Sequence, residues 1–136
     1  MNLIICVDDR NGMLFGGRRQ SRDSAVCKKC TEFAENEKIW MNAYSGKLFR
    51  EYSKDIIIDE EFLDKADSED YCFIENSDYM PYVDNAQKII LFKWNRHYPA
   101  DTFFSVDLND GNWTKNKTEM ISGSSHEKIT IEEYVR

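Results

Sequence analysis

Residues 1–23 read MNLIICVDDRNGMLFGGRRQSRD, and the rest of the chain is organised around this stretch. Its apolar run, Leu3 to Val7, is continuous and ends at two aspartates, which is typical of a central strand buried on both faces. Asp9 to Gly12 have the composition of a turn, and Met13 to Phe15 are apolar again before a Gly-Gly pair. We therefore expect a buried first strand that leads into the most basic loop of the chain.

The segment after this loop has the spacing of an amphipathic helix. Asp23 or Ser24 can cap its N-terminus, and an apolar stripe begins with Val26 and Cys30. The helix is predicted to end near Glu37.

Short apolar strands then alternate with helical segments. Ser45 can cap a second helix, and a brief helix is expected around Ser77 to Val83. The alternation predicts an α/β fold with a largely parallel sheet and right-handed crossovers. The strands are predicted at Lys38 to Met41, Asp55 to Ile58, Tyr71 to Ile74 and Lys88 to Trp94.

The last third of the chain is predicted to be mostly extended. Thr102 to Val106 and Glu119 to Ile121 have strand composition, and a turn separates them at Asn109 to Asn112. Residues 126–136 fit either an edge strand or a terminal helix opened by a capping box at Thr130. The strand is the favoured interpretation.

Length and charge restrict the class of protein. A chain of 136 residues predicts one domain, residues 1–136. No apolar run is long enough to span a bilayer, and the first one is too short for a signal peptide, so we expect no membrane partner and a cytoplasmic location. A net charge of -7 disfavours non-specific nucleic-acid binding, and we expect no nucleic-acid partner.

One basic patch interrupts this acidic composition. It is opposed only by Asp23, and it fits either a site for a small anionic ligand or cofactor phosphate, or a solvated loop that keeps the protein soluble. The patch consists of Arg10, Arg18, Arg19, Arg22, Lys28 and Lys29.

The four cysteines are interpreted as buried thiols. Cys6 and Cys72 lie in apolar strands, and Cys27 and Cys30 lie three apart on the packed face of the predicted helix. The Cys-x-x-Cys spacing alone does not make a zinc site, because a second pair or neighbouring histidines are needed. We therefore predict no metal site.

Several later motifs, taken in order, resemble the dihydrofolate reductase family. The nearest resemblance is in Asp84 to Phe92 (DNAQKIILF), Ala100 to Phe104 (ADTFF) and Asn112-Trp113, which are similar to that family's Ala-Gln-Lys strand, Gly-Asp-Thr-x-Phe segment and Asp-Trp. Asn11 to Met13 resemble the start of its active-site loop, and Trp40 to Ser45 lie where it has Met-Gly-Arg-x-Thr. The resemblance implies an eight-stranded, mostly parallel sheet with flanking helices in three layers.

The departures from the family concern its cofactor site. Of the family's Gly-Arg-x-Thr turn, which receives the cofactor phosphate, only the hydroxyl survives, as Ser45. The Gly-Gly turn is replaced by Glu75-Asn76, which puts a carboxylate where an anion should lie. The family's hydroxyl beside the catalytic carboxylate falls at Phe92, and residues 58–71 are too few for the strand and helix that bind adenosine.

The resemblance assigns the family's catalytic carboxylate to Asp23, which would assist proton delivery to a pterin ring. Helix capping explains the same aspartate without catalysis. Arg18, Arg19 and Arg22 would line the same cleft and, with Ser45, are the predicted cofactor-binding residues, although arginines on a loop often face water.

Three functions follow as hypotheses. The first is a divergent dihydrofolate-reductase-like protein that binds a small anionic or nucleotide-like ligand in the inherited cleft without the parent reaction. The second is a reductase of a pterin or related heterocycle that uses NADPH. The third is a non-catalytic interaction module or homodimer that uses exposed aromatic residues such as Tyr79, Tyr82, Trp94 and Tyr98.

Overall fold

A computed structural model describes residues 1–52 and 56–136, which form ten strands and three short-to-medium α-helices. The strands are β1 (Asn2–Val7), β2 (Gly12–Phe15), β3 (Arg18–Arg19), β4 (Ile39–Met41), β5 (Ile56–Ile58), β6 (Tyr71–Ile74), β7 (Lys88–Lys93), β8 (Thr102–Phe103), β9 (Thr114–Ile121) and β10 (Ile129–Val135). The α-helices are α1 (Ser24–Phe33), α2 (Ala43–Gly46) and α3 (Phe62–Lys65), and 3₁₀ helices cover Lys47–Phe49 and Met80–Asn85.

The strands form two sheets, of which the larger has the order β5-β4-β6-β1-β7-β10-β9. Strand β1 lies at its centre and pairs in parallel with β6 and β7, as its apolar sequence predicts. Strands β4 and β5 continue the parallel part, and β10 is antiparallel to β7 and β9. The smaller sheet has the order β3-β2-β8. The mostly parallel α/β sheet is confirmed.

Apolar residues are buried on both faces of the large sheet, which gives three layers. Ile4 packs on one side with Val26 and Cys30 of α1, whereas Leu3 packs on the other side with Phe62 of α3. This division follows from the period of two along a strand, which sends neighbouring side chains to opposite faces. The predicted three-layer arrangement is confirmed.

The expected exposure of the aromatic residues is wrong for two of them. Tyr79 and Trp94 are buried because they pack into the two apolar layers, whereas Tyr82 and Tyr98 are half-buried.

The large sheet has seven strands in the described part of the chain, not the eight that the family resemblance implies. Between β5 and β6 the chain forms only the single turn of helix α3, because the connection is short. Strand β5 is consequently an edge strand, and Ile58 at its end is 48% exposed. The predicted strand Asp55 to Ile58 is present from Ile56, and Asp55 lies outside the described residues.

The C-terminal segment is a strand, as favoured from sequence, and β9 extends further back than the predicted Glu119 to Ile121. Two helix boundaries differ from expectation. Helix α1 ends at Phe33, and turns replace its predicted last residues up to Glu37. Helix α2 is capped by Asn42 rather than Ser45, because Asn42 is extended at the end of β4 and its side chain accepts from the Ser45 N–H at 3.0 Å.

The Gly16-Gly17 pair forms a tight hairpin where the sequence predicts a loop. Both glycines have positive φ, 59° and 74°, and Phe15 pairs with Arg18 across them. Positive φ at both central residues gives a turn whose twist suits paired strands. The basic residues Arg18 and Arg19 therefore lie on strand β3, where alternation leaves Arg18 exposed and Arg19 half-buried.

Candidate functional site

The candidate site lies where the parallel strands β1, β4 and β6 end. Asp8, Asn42 and Glu75 follow these strands directly, so they meet at one edge of the sheet. Ligands of open α/β sheets bind at this edge, beside the strand where the chain order reverses. Here that strand is β1, which has β6 on one side and β7 on the other.

Glu75 is held at this edge by two residues that the sequence assigns to cofactor binding. Its carboxylate accepts two hydrogen bonds from the Arg19 guanidinium, Nε to Oε2 at 2.8 Å and Nη2 to Oε1 at 2.9 Å. Ser45 Oγ donates a third to Oε1 at 2.8 Å. The Glu75 side chain is only 9% exposed, so this is a partly buried bidentate ion pair.

Tyr44 fixes the position of Arg19. The tyrosine hydroxyl accepts from the Arg19 N–H at 2.9 Å, and its backbone carbonyl accepts from Nη2 at 3.2 Å. The guanidinium also lies over the tyrosine ring, 4.2 Å from its centroid. Burial lowers the pKa of Arg19, but the hydrogen bonds to Glu75 outweigh burial and the net pKa is raised. The Arg19 guanidinium is therefore charged, and Glu75 and Tyr44 hold it in place.

The neighbouring loop is closed by amide contacts. Asn42 Nδ2 donates to Asn76 Oδ1 at 2.7 Å and to Ser77 Oγ at 3.2 Å, which joins the end of β4 to the segment after β6. The Asn42 side chain therefore links the end of β4 to Asn76 and Ser77, the neighbours of Glu75 in the chain.

This arrangement does not fit a dinucleotide phosphate. The Arg19 fork and the Ser45 hydroxyl, which could hold such a phosphate, already hold a carboxylate of the protein. A phosphate at this place would also meet the negative charge of Glu75. Arg18 is exposed, and Arg22 lines a cavity with Asp23 to which Ser45 does not contribute. Cofactor binding by Ser45, Arg18, Arg19 and Arg22 stays a prediction.

Asp23 is the N-cap of α1 and is also bound by the turn between β9 and β10. Its Oδ1 accepts from the N–H groups of Ala25 and Ser124 and from Ser124 Oγ, at 2.8–2.9 Å. Its Oδ2 accepts from the N–H groups of Ser125 and His126 and from His126 Nδ1, at 2.7–3.1 Å. Six donors thus surround a side chain with no exposed surface.

Opposing effects act on the Asp23 carboxyl. Burial raises its pKa, but the hydrogen bonds from Ser124, Ser125, His126 and Ala25 outweigh burial, so the net pKa lies well below the usual range. The carboxylate is ionised at neutral pH. Its capping role is confirmed, whereas its catalytic role stays a prediction.

His126 extends this network and was not singled out as a site residue from sequence. Its Nε2 lies 2.9 Å from Tyr98 Oη and 3.2 Å from Ser21 Oγ, and its ring stacks on Trp94 with centroids 4.6 Å apart. Because Nδ1 faces an ionised Asp23, the proton belongs on Nδ1 and Nε2 accepts from a hydroxyl. The sequence signal for this role is the Ser-Ser-His turn, but the turn can be interpreted only with its partner Asp23, which lies 103 residues earlier in the chain.

Serine, histidine and aspartate connected in this way resemble a nucleophile with its base. Acyl transfer also requires N–H groups directed at a developing oxyanion. The N–H groups of Ser124, Ser125 and His126 all point at Asp23 instead. The network therefore anchors the β9–β10 turn to the start of α1. Phe92, at the family's hydroxyl position, is fully buried in the core, and the turn supplies the donors that Asp23 needs.

A cavity of about 450 Å³ adjoins Asp23, between the start of α1 and the 3₁₀ helix Lys47–Phe49. Among the described residues that line it, three are exposed cations, Arg22, Lys47 and Arg50, and Glu51 is an exposed anion. Asp23 also lines the cavity and is ionised, so the lining cations exceed the lining carboxylates by three to two. The cavity is therefore basic in an acidic protein.

The cysteines of the described residues are free thiols. Cys27, Cys30 and Cys72 are buried free thiols as predicted, and Cys6 is half-buried. No group of three or more His, Cys, Asp or Glu side chains is placed there to hold a metal ion. None of the helices in residues 1–52 and 56–136 has the length and apolar character to cross a membrane.

Comparison with known proteins identifies the fold. No family model and no curated protein sequence matches the chain. Among solved structures, a dihydrofolate reductase from Enterococcus faecalis, complexed with NADP(H) and RAB-propyl, is similar with a TM-score of 0.69. The chain has a dihydrofolate-reductase-like fold. The match covers 99% of this chain and 95% of the reductase at 12% sequence identity, which establishes the fold alone.

Proposed function

We propose that this dihydrofolate-reductase-like protein binds a small anionic or nucleotide-like ligand in the inherited cleft, without the parent reaction. The main evidence for this proposal is the basic cavity beside Asp23. Its volume of about 450 Å³ lies within the range of small-molecule sites, roughly 300–1,000 Å³.

Charge supports an anionic ligand. The protein carries a net charge of -7, yet Arg22, Lys47 and Arg50 converge on this cavity with only Glu51 as an exposed counter-charge among the described lining residues. A guanidinium binds carboxylate or phosphate through two parallel hydrogen bonds, and a lysine adds a point charge. Phosphate and carboxylate groups are therefore the expected ligand chemistry.

The Asp23 hydrogen-bond network holds one wall of the proposed ligand site in place. Five hydrogen bonds from Ser124, Ser125 and His126 to Asp23 fix the turn 123–126 to the start of α1. Ser124 and Ser125 of this turn line the cavity. A preformed wall lowers the ordering cost of binding. In this proposal Asp23 holds the wall of the site in place and takes no part in a reaction. The alternative hypothesis is a reductase in which Asp23 assists proton delivery, and titration with NADPH tests that alternative.

Isothermal titration of the wild-type protein with pyrophosphate, a nucleoside monophosphate and folate tests the proposal, with ionic strength held constant. Binding of at least one probe is expected, and Arg50→Gln and Lys47→Gln should each weaken it about tenfold, the loss of one charge-assisted contact. Arg10→Gln removes an exposed arginine away from this cavity and serves as the matched control. The proposal fails if none of the probes binds, or if all three variants bind equally well.

A further inference from the structure

The ion pair between Arg19 and Glu75 lies outside the basic cavity and indicates a second, separate anion site. Glu75 follows β6 directly, and its carboxylate receives the donors of two other segments, the Arg19 guanidinium from β3 and the Ser45 hydroxyl from α2. A guanidinium fork with a hydroxyl is the donor set that proteins direct at phosphate or carboxylate ligands. Here the acceptor belongs to the chain itself.

We propose that Glu75 is a built-in substitute for an anionic ligand, so that Arg19 and Ser45 form an anion site that the protein fills with its own carboxylate. The site lies at the strand ends where a fold of this kind binds ligands. Tyr44 holds Arg19 through two hydrogen bonds and ring stacking. The cation thus stays in place if the carboxylate is removed.

This arrangement excludes external anions from the wild-type site. An incoming phosphate must break a bidentate pair whose glutamate is 9% exposed, and it must then tolerate a displaced carboxylate nearby. Both effects weaken binding, together by roughly a hundredfold or more. The dinucleotide that the family resemblance implies is therefore shut out by the chain's own acid.

Truncation of the glutamate should open the site. In Glu75→Ala the Arg19 fork and the Ser45 hydroxyl lose their acceptor, and the space of the carboxylate becomes available to an anion. Glu75→Gln keeps the side-chain volume and a carbonyl acceptor but removes the charge, so it should have an intermediate effect.

The test is a titration with pyrophosphate, measured by calorimetry and by thermal unfolding at constant ionic strength. Glu75→Ala should melt below the wild type, and pyrophosphate should bind it at least tenfold more tightly than the wild type and restore part of the lost melting temperature. Glu119→Ala is the matched control, because it breaks the Lys29–Glu119 ion pair of equal length, 2.8 Å, elsewhere on the surface. It should gain no pyrophosphate affinity.

The double variant Glu75→Ala with Arg19→Gln separates this site from the basic cavity. New binding at the proposed site is lost with Arg19 and survives Arg50→Gln, whereas binding in the cavity shows the opposite dependence. The inference is overturned if Glu75→Ala gains no more affinity than Glu119→Ala, or if the gain persists without Arg19. Where Glu75→Ala does not fold, Glu75→Gln decides the question, and equal pyrophosphate affinity of Glu75→Gln and wild type refutes the inference.

Discussion

Replacement of Asp23 by asparagine tests how the cleft is held together. The six donors around the carboxylate converge on two oxygens, three on each. An asparagine keeps one oxygen and presents an NH₂ group to the other three donors, which then have no acceptor. At about 1–1.5 kcal/mol for each of the three lost hydrogen bonds, the free energy of unfolding should fall by about 3–4.5 kcal/mol.

The same variant should change the pH dependence of stability. Because the folded pKa of Asp23 is depressed below the unfolded value of about 3.9, its contribution is present above roughly pH 4 and is lost as pH falls towards the folded pKa. The difference in unfolding free energy between wild type and Asp23→Asn should therefore shrink as pH falls below about 4. Asp8, whose pKa is also lowered, is common to both proteins and cancels in this difference.

Urea unfolding, followed by tryptophan fluorescence at several pH values, measures both effects. Asp101→Asn is the control, since Asp101 is exposed and its Oδ2 accepts from the Gly16 N–H at 3.0 Å. It should cost less than about 1 kcal/mol. A loss below 1 kcal/mol for Asp23→Asn, or a difference that does not shrink in acid, would refute the anchoring role.

Three further predictions concern the β9–β10 turn and the buried cysteines. Gly123→Ala should destabilise by about 1–3 kcal/mol in urea unfolding, because an added Cβ would collide with Asp23 Oδ2 and the His126 carbonyl. His126→Phe keeps the stacking on Trp94 and the backbone N–H bond to Asp23 but loses the side-chain bonds to Asp23, Ser21 and Tyr98, and should cost about 2–3 kcal/mol. Burial raises the pKa of Cys27 to about 11 and of Cys72 to about 12, so the native thiols should react with a disulfide reagent at pH 8 far more slowly than in denaturant.

Controls for these predictions come from exposed neighbours. Ser122→Ala and His97→Phe change exposed positions and should each stay within about 0.5 kcal/mol of wild type. A Gly123→Ala or His126→Phe variant as stable as these controls would contradict the packing described for the β9–β10 turn. Native thiols that react as fast as denatured ones would contradict the burial of the cysteines.

The sequence predicts the strands well because their signal is local. The run at Leu3 to Val7 and the run at Lys88 to Trp94 are apolar and bounded by polar residues, and both form central strands. The capping of α1 by Asp23 is equally local, since an aspartate before an apolar stripe is enough to indicate it.

The site is less predictable because its contacts join distant segments. Arg19 and Glu75 are 56 residues apart, and they meet only because the Gly16-Gly17 hairpin turns Arg19 inward on β3. The sequence indicates that Glu75 would repel a phosphate, but it does not show that Arg19 and Ser45 would bind Glu75. His126 was missed for the same reason, since its role depends on the position of Asp23.

We propose that the fold keeps its cleft and that the Glu75 carboxylate takes the place of the cofactor phosphate. Calorimetric titration of the wild-type protein with NADPH, beside Glu75→Ala in the same buffer, tests it most directly. We expect no saturable binding to wild type at NADPH concentrations up to about 1 mM, a limit of about 4 kcal/mol in binding free energy. Micromolar binding of NADPH to the wild type, with NADPH oxidation in the presence of dihydrofolate, would contradict the claim.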